Sequence, residues 1–358
     1  MKTYKVLGLM SGTSLDGLDI AYCKIWKKLD RWHFEILKSD TIDYDNGLRT
    51  QLMNSILLNA VDLLSLNNFY GSWLGLRAKE FILKNKLDID FIASHGHTTH
   101  HRPERGLTYQ IGSGQHLANE SQEKVICDFR TNDVALGGEG APLVPIGDQL
   151  FFSSYNFCLN LGGIANMSFL QNGKRVAYDI GLANMPLNYL TQKIGLSYDK
   201  GGEKAKKGKL NTGLLKELNS LSFYKENFPK STGYEWFTEK VCPILESHKD
   251  TLENQLHTLI KHICEQIAIQ VKANNSNKKA TLLVTGGGAL NHYMMNVLQN
   301  ELGENTELII PSEQLISYKE ALIFALMGVL RHEQEINVLK SVTGARKNSS
   351  SGVVYLPA

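Results

Sequence analysis

Ser11-Gly12-Thr13-Ser14-Leu15-Asp16-Gly17-Leu18-Asp19 sets hydroxyls, glycines and carboxylates between two largely apolar runs, Val6 to Met10 and Leu18 to Tyr22. Apolar runs on both sides of a polar turn predict two strands joined by a hairpin, with Asp16-Gly17 supplying turn chemistry. Gly12 lets another group approach the backbone, and Ser11, Thr13 and Ser14 add hydroxyl donors beside exposed N–H groups, a combination that suits phosphate. An ordinary hairpin tip has the same composition. What favours phosphate is a second copy: Phe157 to Phe169 again reads strand, polar turn, strand, with Gly162-Gly163 and Asn166 at the turn. Facing turns from two such units would clasp a polyphosphate across a cleft.

Four further groups could do chemistry. Asp179 follows a third strand of the second copy, where it reads either as a catalytic carboxylate at a strand end or as the N-cap of a helix over Leu182 to Ile194. Thr285-Gly286-Gly287-Gly288-Ala289 joins a strand to a helix, a geometry that lets backbone approach a base or ribose; it is neither a Gly-x-Gly-x-x-Gly fingerprint nor a P-loop, which disfavours dehydrogenases and P-loop enzymes. The segment Ser94 to Pro103 holds His95, His97, His100 and His101. No thiolate or carboxylate at helical spacing completes a metal shell there, and Pro103 marks the segment as an irregular loop, so hydrogen bonding to a polar ligand is expected rather than metal. Lys230, in a loop punctuated by Pro229 and Gly233, is a ligand candidate, whereas Lys204 to Lys209 reads as a solvated face.

These groups need a scaffold of helix-covered sheets. Trp32 to Ile42 extends the first hairpin to a meander, helices follow over Leu48 to Leu58 and Val61 to Leu83, and Ile89 to Ser94 is a buried strand. Later come helices over Thr251 to Ala273 and Ser317 to His332, with strands at Thr281 to Val284 and Glu307 to Ile310. At 358 residues the chain is long enough for two domains. They are placed at 1–140 plus 335–358 and at 141–334, the first boundary falling at the Gly137 to Pro142 turn. The predicted class is α/β, two similar mixed-sheet domains. A net charge of +2 offers no field for nucleic acid or anionic membrane, so an acidic ligand must be held by local groups. The cysteines, 5 in all and without a Cys-x-x-Cys pair, fit a reducing cytoplasm, and the short apolar run near the N-terminus predicts neither export nor a membrane span.

Taken in order, these blocks carry a family resemblance. Two phosphate hairpins, a Gly-Gly-Gly turn and a closing helix resemble the actin, hexokinase and acetate kinase superfamily, of ribonuclease H-like fold. Within it the chain resembles the 1,6-anhydro-N-acetylmuramic acid kinases over nearly its whole length. The matching stretches are Gly8 to Asp19, Ser94-His95-Gly96 with Thr98, His101-Arg102-Pro103, Asp128-Phe129-Arg130, Gly140 to Pro145, Asn160 to Asn166, Pro229 to Gly233, Gly286 to Gly288 and Ser341 to Ala345. The resemblance implies ATP with Mg²⁺, ATP binding by Gly12 to Asp19, Gly162, Gly163 and Gly286 to Gly288, and Asp179 as general base. It implies hydrolytic opening of the anhydro ring with phosphorylation of the sugar. It further implies sugar contacts from His95, Thr98, Arg130, Asn184 and Glu320, with Arg130 able to fork onto a lactyl carboxylate. Asp16 and Asp19 are candidates for the metal's water shell. A homodimer is left open.

The chain also departs from the family pattern. Asp-Thr-Gly-Pro-Gly-Asn becomes Asp179-Ile180-Gly181-Leu182-Ala183-Asn184, Ser-His-Gly-Gln-Thr carries His97 for Gln, Glu139 replaces another Gln, and Tyr318-Lys319 replaces the usual residues before Glu320-Ala321. These bear on which anhydro-sugar is accepted. The rival readings are a kinase of another anhydro-sugar and an actin-like module that binds nucleotide without transferring phosphate.

Overall fold

The computed structural model describes residues 2–12, 15, 17–275 and 279–358. Its strands are β1 (Thr3–Ser11), β2 (Leu18–Lys28), β3 (Arg31–Ile42), β4 (Phe91–Ser94), β5 (His97–Arg102), β6 (Leu107–Ile111), β7 (Val125–Cys127), β8 (Phe157–Leu161), β9 (Ile164–Gln171), β10 (Lys174–Leu182), β11 (Ala280–Thr285), β12 (Thr306–Ile309) and β13 (Val353–Tyr355). The chain folds as two compact units, Met1–Phe152 with Tyr318–Ala358, and Ser153–Ser317. The breaks thus differ from 140/141 and 334/335. The turn at Gly137 to Pro142 is bound into the first unit, where Glu139 N–H donates to the Thr343 carbonyl at 2.8 Å and Arg346 N–H to the Leu136 carbonyl at 3.1 Å.

Each unit has a mixed sheet built on the same plan. In the first the order is β3-β2-β1-β4-β7-β13, in the second β10-β9-β8-β11-β12. Three antiparallel strands open each sheet, and two strands parallel to the first of them extend it on the other side. This is the α/β class expected from the sequence. Strands flanked by helical crossovers are buried on both faces and so read as continuous apolar runs. In β1, Val6, Leu7 and Leu9 are each 0% exposed.

Period-two alternation divides the neighbours of β1. Leu7 and Leu9 belong to the core formed with Tyr70, Leu74 and Ala78 of the helix Ala60–Asn85. That helix starts at Asn59, whose side chain accepts from Asp62 N–H, and stops at the left-handed Lys86. Between them Gly8 meets the helix Glu313–His332, so closely that a Cβ at Gly8 would lie 2.1 Å from the Ala321 carbonyl oxygen. In the second unit the helix Leu252–Asn274 buries Leu256, Leu259, Ile260, Ile263, Ile267 and Val271 in a core shared with β8 to β11. No helix of the described residues is long and apolar enough to cross a membrane.

The sequence reading missed one sheet. The segment expected as an irregular loop from His95 to Pro103 contains β5, paired antiparallel with β6 from His97↔Ile111 to Arg102↔Leu107. Histidines masked the strand, but Thr98 and Thr99 are β-branched, and His97 and Thr99 turn inward at 4% and 7% exposure.

Seating the closing helix on Gly8 predicts the outcome of the smallest substitution. Gly8→Ala should destabilise by at least the ~1–3 kcal/mol typical of overpacking, because a backbone carbonyl cannot swing away. Calorimetry should then show a Tm lower by roughly 2–4 °C per kcal/mol lost. An unchanged Tm would mean that this helix is not seated on β1.

Candidate functional site

In the first unit, β1 ends at Ser11 and β2 begins at Leu18, and the two pair up to Ser11↔Leu18, so the strands flanking the turn expected to bind phosphate form a hairpin. Leu15 N–H donates to the Gly12 carbonyl at 3.3 Å, and Leu15 lies at φ 58. Gly17 packs against β3, where a Cβ would lie 2.6 Å from the Ile42 carbonyl oxygen. Thr13, Ser14 and Asp16 lie outside the described residues. Asp19 stands opposite Met10 and Thr41, and its Oδ1 accepts the Thr41 hydroxyl at 2.7 Å.

Ser11 does not join the turn as a phosphate donor. It is 2% exposed, its Oγ accepts from Tyr44 Oη at 2.8 Å, and it lies 3.0 Å from His97 Nδ1. Tyr44 and Tyr70 hydroxyls meet at 2.7 Å. Tyr44, Ser11 and His97 thus form one buried hydrogen-bonded chain, in which the Ser11 hydroxyl can donate to a bare Nδ1 or accept from a protonated one. Burial keeps the ring neutral, pulling the His97 pKa down to about 4.

His95, Arg130 and Glu320 come together in the same unit. His95 Nδ1 lies 3.0 Å from the Gly96 carbonyl and its Nε2 accepts from Arg130 Nε at 3.0 Å, which sets the neutral tautomer with the proton on Nδ1. Burial and the guanidinium hold its pKa well below the usual histidine range. Arg130 Nη1 donates to the Gly140 carbonyl at 2.6 Å. Among the described residues Nη2 has no partner, so one edge of the fork is uncommitted. Burial lowers the Arg130 pKa to about 10, while the charges of Glu320 and Asp133 resist that shift. The Glu320 carboxylate makes no hydrogen bond to the described residues; burial raises its pKa, opposed first by Arg130 and then by Lys319. Thr98 Oγ1 accepts from Gln110 Nε2 at 3.3 Å, and His101 Nδ1 meets Thr108 Oγ1 at 3.1 Å. Among the described residues no three His, Cys, Asp or Glu side chains converge to hold a metal.

In the second unit, Thr285, Asn160, Asn166 and Asp179 pair directly, each with the next, across β11, β8, β9 and β10. Directly opposed residues share a face, so the sheet end presents a polar row. Asp179 is not a helix cap: the helix Asn184–Gln192 has Ala183 at its N-cap position with no side-chain cap. Its Oδ2 instead accepts Ser231 Oγ and Thr232 N–H, each at 3.0 Å, and its N–H donates to the Lys230 carbonyl at 3.1 Å. Among the described residues Oδ1 has no partner. Burial raises the carboxyl pKa and the two bonds at Oδ2 pull it back only in part.

Lys230 is not a ligand candidate. Its Nζ donates to the Phe223 carbonyl at 2.9 Å and lies 4.5 Å from the Phe223 ring centroid, so the side chain clips down the loop that holds Asp179. Ser231 and Thr232, which bind the Asp179 carboxylate, were given no role from the sequence; their signal is a hydroxyl pair in a loop punctuated by Pro229 and Gly233.

The glycines divide by role. A Cβ on Gly286, at φ 80, would lie 2.6 Å from Asn160 Oδ1, and one on Gly288 would lie 2.6 Å from Leu161 Cβ. Both seat the third turn on the second. A Cβ on Gly287 meets nothing within 4 Å, so this glycine borders open space. Gly162 and Gly163 carbonyls accept the Asn184, Ala183 and Met185 N–H groups, tying the turn to the helix start. Asn184 Nδ2 donates to the Leu161 carbonyl at 3.0 Å, and among the described residues its Oδ1 accepts no hydrogen bond.

A family model described as anhydro-N-acetylmuramic acid kinase matches residues 4–357. The chain belongs to the anhydro-N-acetylmuramic acid kinase family. Among its relatives, the enzyme of that name from Francisella tularensis subsp. novicida (strain U112) is 33% identical over 99% of both chains. That of Sulfurimonas denitrificans (strain ATCC 33889 / DSM 1251) is 34% identical over 98% of both. Of solved structures, the activator of the 2-hydroxyisocaproyl-CoA dehydratase from Clostridium difficile with bound ADPNP gives a TM-score of 0.45 at 15% identity, covering 92% of this chain and 97% of that one.

The departures from the family pattern fall mostly in packing positions. Ile180, Leu182 and Ala183 are 2%, 4% and 0% exposed in the second core. Lys319 pairs with buried Asp148 at 2.8 Å. His97 is buried and bonded to Ser11 in the interior network.

That network makes stability pH-dependent. The folded pKa of His97, about 4, lies below the unfolded value of 6.5, so its contribution is complete above pH 6.5 and is lost as pH falls toward 4. His95 and His262 act in the same direction. His97→Gln keeps a hydrogen-bonding partner for Ser11, as donor or acceptor, without a titrating ring. Urea unfolding at pH 7 and pH 5 should show the variant losing up to about 2 kcal/mol less than wild type between the two; equal losses would show that His97 titrates normally.

Proposed function

We propose that this family member is an ATP-dependent kinase that hydrolytically opens the 1,6-anhydro ring of anhydro-N-acetylmuramic acid and phosphorylates O6. The product is N-acetylmuramate 6-phosphate, formed in cell-wall recycling in the cytoplasm. Family membership over almost the full chain supports this activity. The observation that carries the mechanism is Asp179: a half-buried carboxylate with Oδ2 held by two donors, Oδ1 uncommitted and a raised pKa.

A base must be fixed in direction and matched in pKa to its working pH. Ser231 and Thr232 fix Asp179 through one oxygen, so the other takes the proton from a water attacking the anomeric carbon. As the new C1–O bond forms, the C1–O6 bond breaks and O6 keeps the electron pair. O6 then attacks the γ-phosphorus of ATP, and the β,γ-bridging bond breaks to release ADP. The anhydro ring thereby supplies its own phosphoryl acceptor, and one base suffices. Backbone N–H groups in Gly12 to Asp19 and at Gly162-Gly163 hold phosphates, while Gly287 leaves room for the nucleoside.

Arg130 receives the lactyl carboxylate on its uncommitted edge, and His95, Thr98, Asn184 and Glu320 hold sugar polar groups. Mg²⁺ keeps several waters and usually binds through one or two carboxylates with the substrate's phosphates, which Asp19 fits as a water-shell partner. When bound, it neutralises phosphate charge.

Replacing the base tests the reading. The Asn oxygen in Asp179→Asn can accept the Ser231 and Thr232 bonds, placing an amide where the proton acceptor was. Turnover should fall by about 10²- to 10⁴-fold, with ATP and sugar binding within a few-fold of wild type. Near-wild-type turnover, measured as sugar-dependent ADP release, would put the base elsewhere. The same experiment at varied pH should place the acid limb of kcat/KM above the ordinary carboxylate range, the direction in which burial moves Asp179.

A further inference from the structure

Asp133 is a carboxylate with 0% exposure, carried on the short helix Thr131–Ala135 of the first unit. A buried charge persists only where its oxygens are satisfied. Here Oδ2 accepts the Gly140 N–H at 2.8 Å and Oδ1 accepts the Thr343 hydroxyl at 2.8 Å. The fit is close, since a Cβ on Gly138 would lie 2.3 Å from Asp133 Oδ2.

Both partners lead to the same place. Gly140, at φ 66, offers its carbonyl to Arg130 Nη1 at 2.6 Å. Thr343 is 1% exposed and its carbonyl accepts the Glu139 N–H at 2.8 Å, so the segment around Thr343 closes the same turn from behind. The turn is held at Glu139 and Gly140, and through Gly140 it holds the guanidinium. His95 fixes Nε. Arg130 therefore reaches its ligand with two nitrogens already committed and one edge presented, which removes the ordering cost a free arginine would meet on binding.

We propose that Asp133, clamped by Thr343, is the positioning residue that aims the Arg130 fork at the sugar's carboxylate. This rests on the reading of Arg130 given above. It makes the segment Ser341 to Ala345 a support of the sugar site, acting through Asp133 and the Gly140 turn, and it explains a buried aspartate in terms of recognition.

The test is steady-state kinetics of the full chain with ATP and anhydro-N-acetylmuramic acid, for Arg130→Ala, Asp133→Ala, their double variant, Thr343→Val and Thr343→Ser. Hydrogen bonds to charged groups are worth enough for Asp133→Ala to raise the sugar KM by about 10-fold or more. The ATP KM should stay within about two-fold, and the double variant should be no worse than Arg130→Ala alone, as expected of residues acting through one another. Thr343→Val should raise the sugar KM in the same selective way, and Thr343→Ser, which keeps the hydroxyl, should restore it.

A wild-type sugar KM for Asp133→Ala, an equal rise in both KM values, or a double variant whose loss is the product of the single losses would overturn the inference while leaving the Arg130 reading intact. An unchanged sugar KM for Arg130→Ala would instead remove the Arg130 reading, and the inference with it. Should Asp133→Ala fail to fold, the Thr343 pair decides: no selective rise with Val, or no recovery with Ser, overturns the proposal.

Discussion

The second unit depends on the register between β9 and β10. Side chains alternate faces along a strand, so sliding β10 by one residue would turn Asp179 into the core and Ile180 out of it. The observed pairing sets Asp179 against Asn166, and a bulge follows between Asp179 and Gly181. Bulges occur where a strand must aim a side chain or end its pairing. Here the bulge lies next to the one residue whose direction matters most. It also brings Gly181 under Tyr224, where a Cβ would lie 2.6 Å from the ring. Tyr224 belongs to the turn Ser222–Lys225, whose Phe223 carbonyl receives the Lys230 ammonium. Register, bulge and clip therefore converge on one carboxylate.

Matching the two sheets by register shows how duplicated frames came to differ. The innermost hairpin pairs are Ser11↔Leu18 and Leu161↔Ala165, and the pairs one step back are Met10↔Asp19 and Asn160↔Asn166. The third strands then contribute Thr41 opposite Asp19, and Asp179 opposite Asn166. Each of these rows thus carries one carboxylate, on the second strand in the first unit and on the third strand in the second. In the first unit the neighbour is a hydroxyl that donates to the carboxylate. In the second it is an amide, and the donors come from the Ser231-Thr232 loop instead. The repeated plan supplies positions, and the chemistry differs with what each position is given.

Much of this was legible because local chemistry and global fold agree. Glycine-bearing turns between apolar strands announce hairpins, and their repetition announces two units. Caps at Asn59 and Thr251 and the left-handed Lys86 agree with the helix ends. Legibility failed where a residue's partner is distant in sequence. Lys230 looks like a ligand until Phe223 is seen beneath it, Ser11 looks like a phosphate donor until Tyr44 and His97 occupy its hydroxyl, and Asp179 could have been a cap until the helix began at Asn184. The triple glycine misled in a subtler way. Gly286 and Gly288 are small because Asn160 and Leu161 press on them, and Gly287 alone faces open space. Composition cannot tell a glycine that admits a ligand from one that admits a neighbouring strand.

The same distinction bears on the substitutions that set this chain apart from its family's pattern. A polar-to-apolar change at a ligand-facing position would remove a sugar contact, but Ile180, Leu182 and Ala183 lie in the core, where an added methyl group is felt as packing. Lys319 brings a charge into a buried position, which is costly unless it is paired, and Asp148 is 2.8 Å away. That pair also adds a cation near Glu320, opposing the effect of burial on its carboxyl. His97 replaces an uncharged amide with a ring that can take a proton, but its buried surroundings keep the ring neutral. At Ile180, Leu182, Ala183, Lys319 and His97 the change lies in a buried position. His95, Arg130, Asp179 and Asn184 keep their types, and the hydrogen bonds that orient them do not pass through any of the altered side chains.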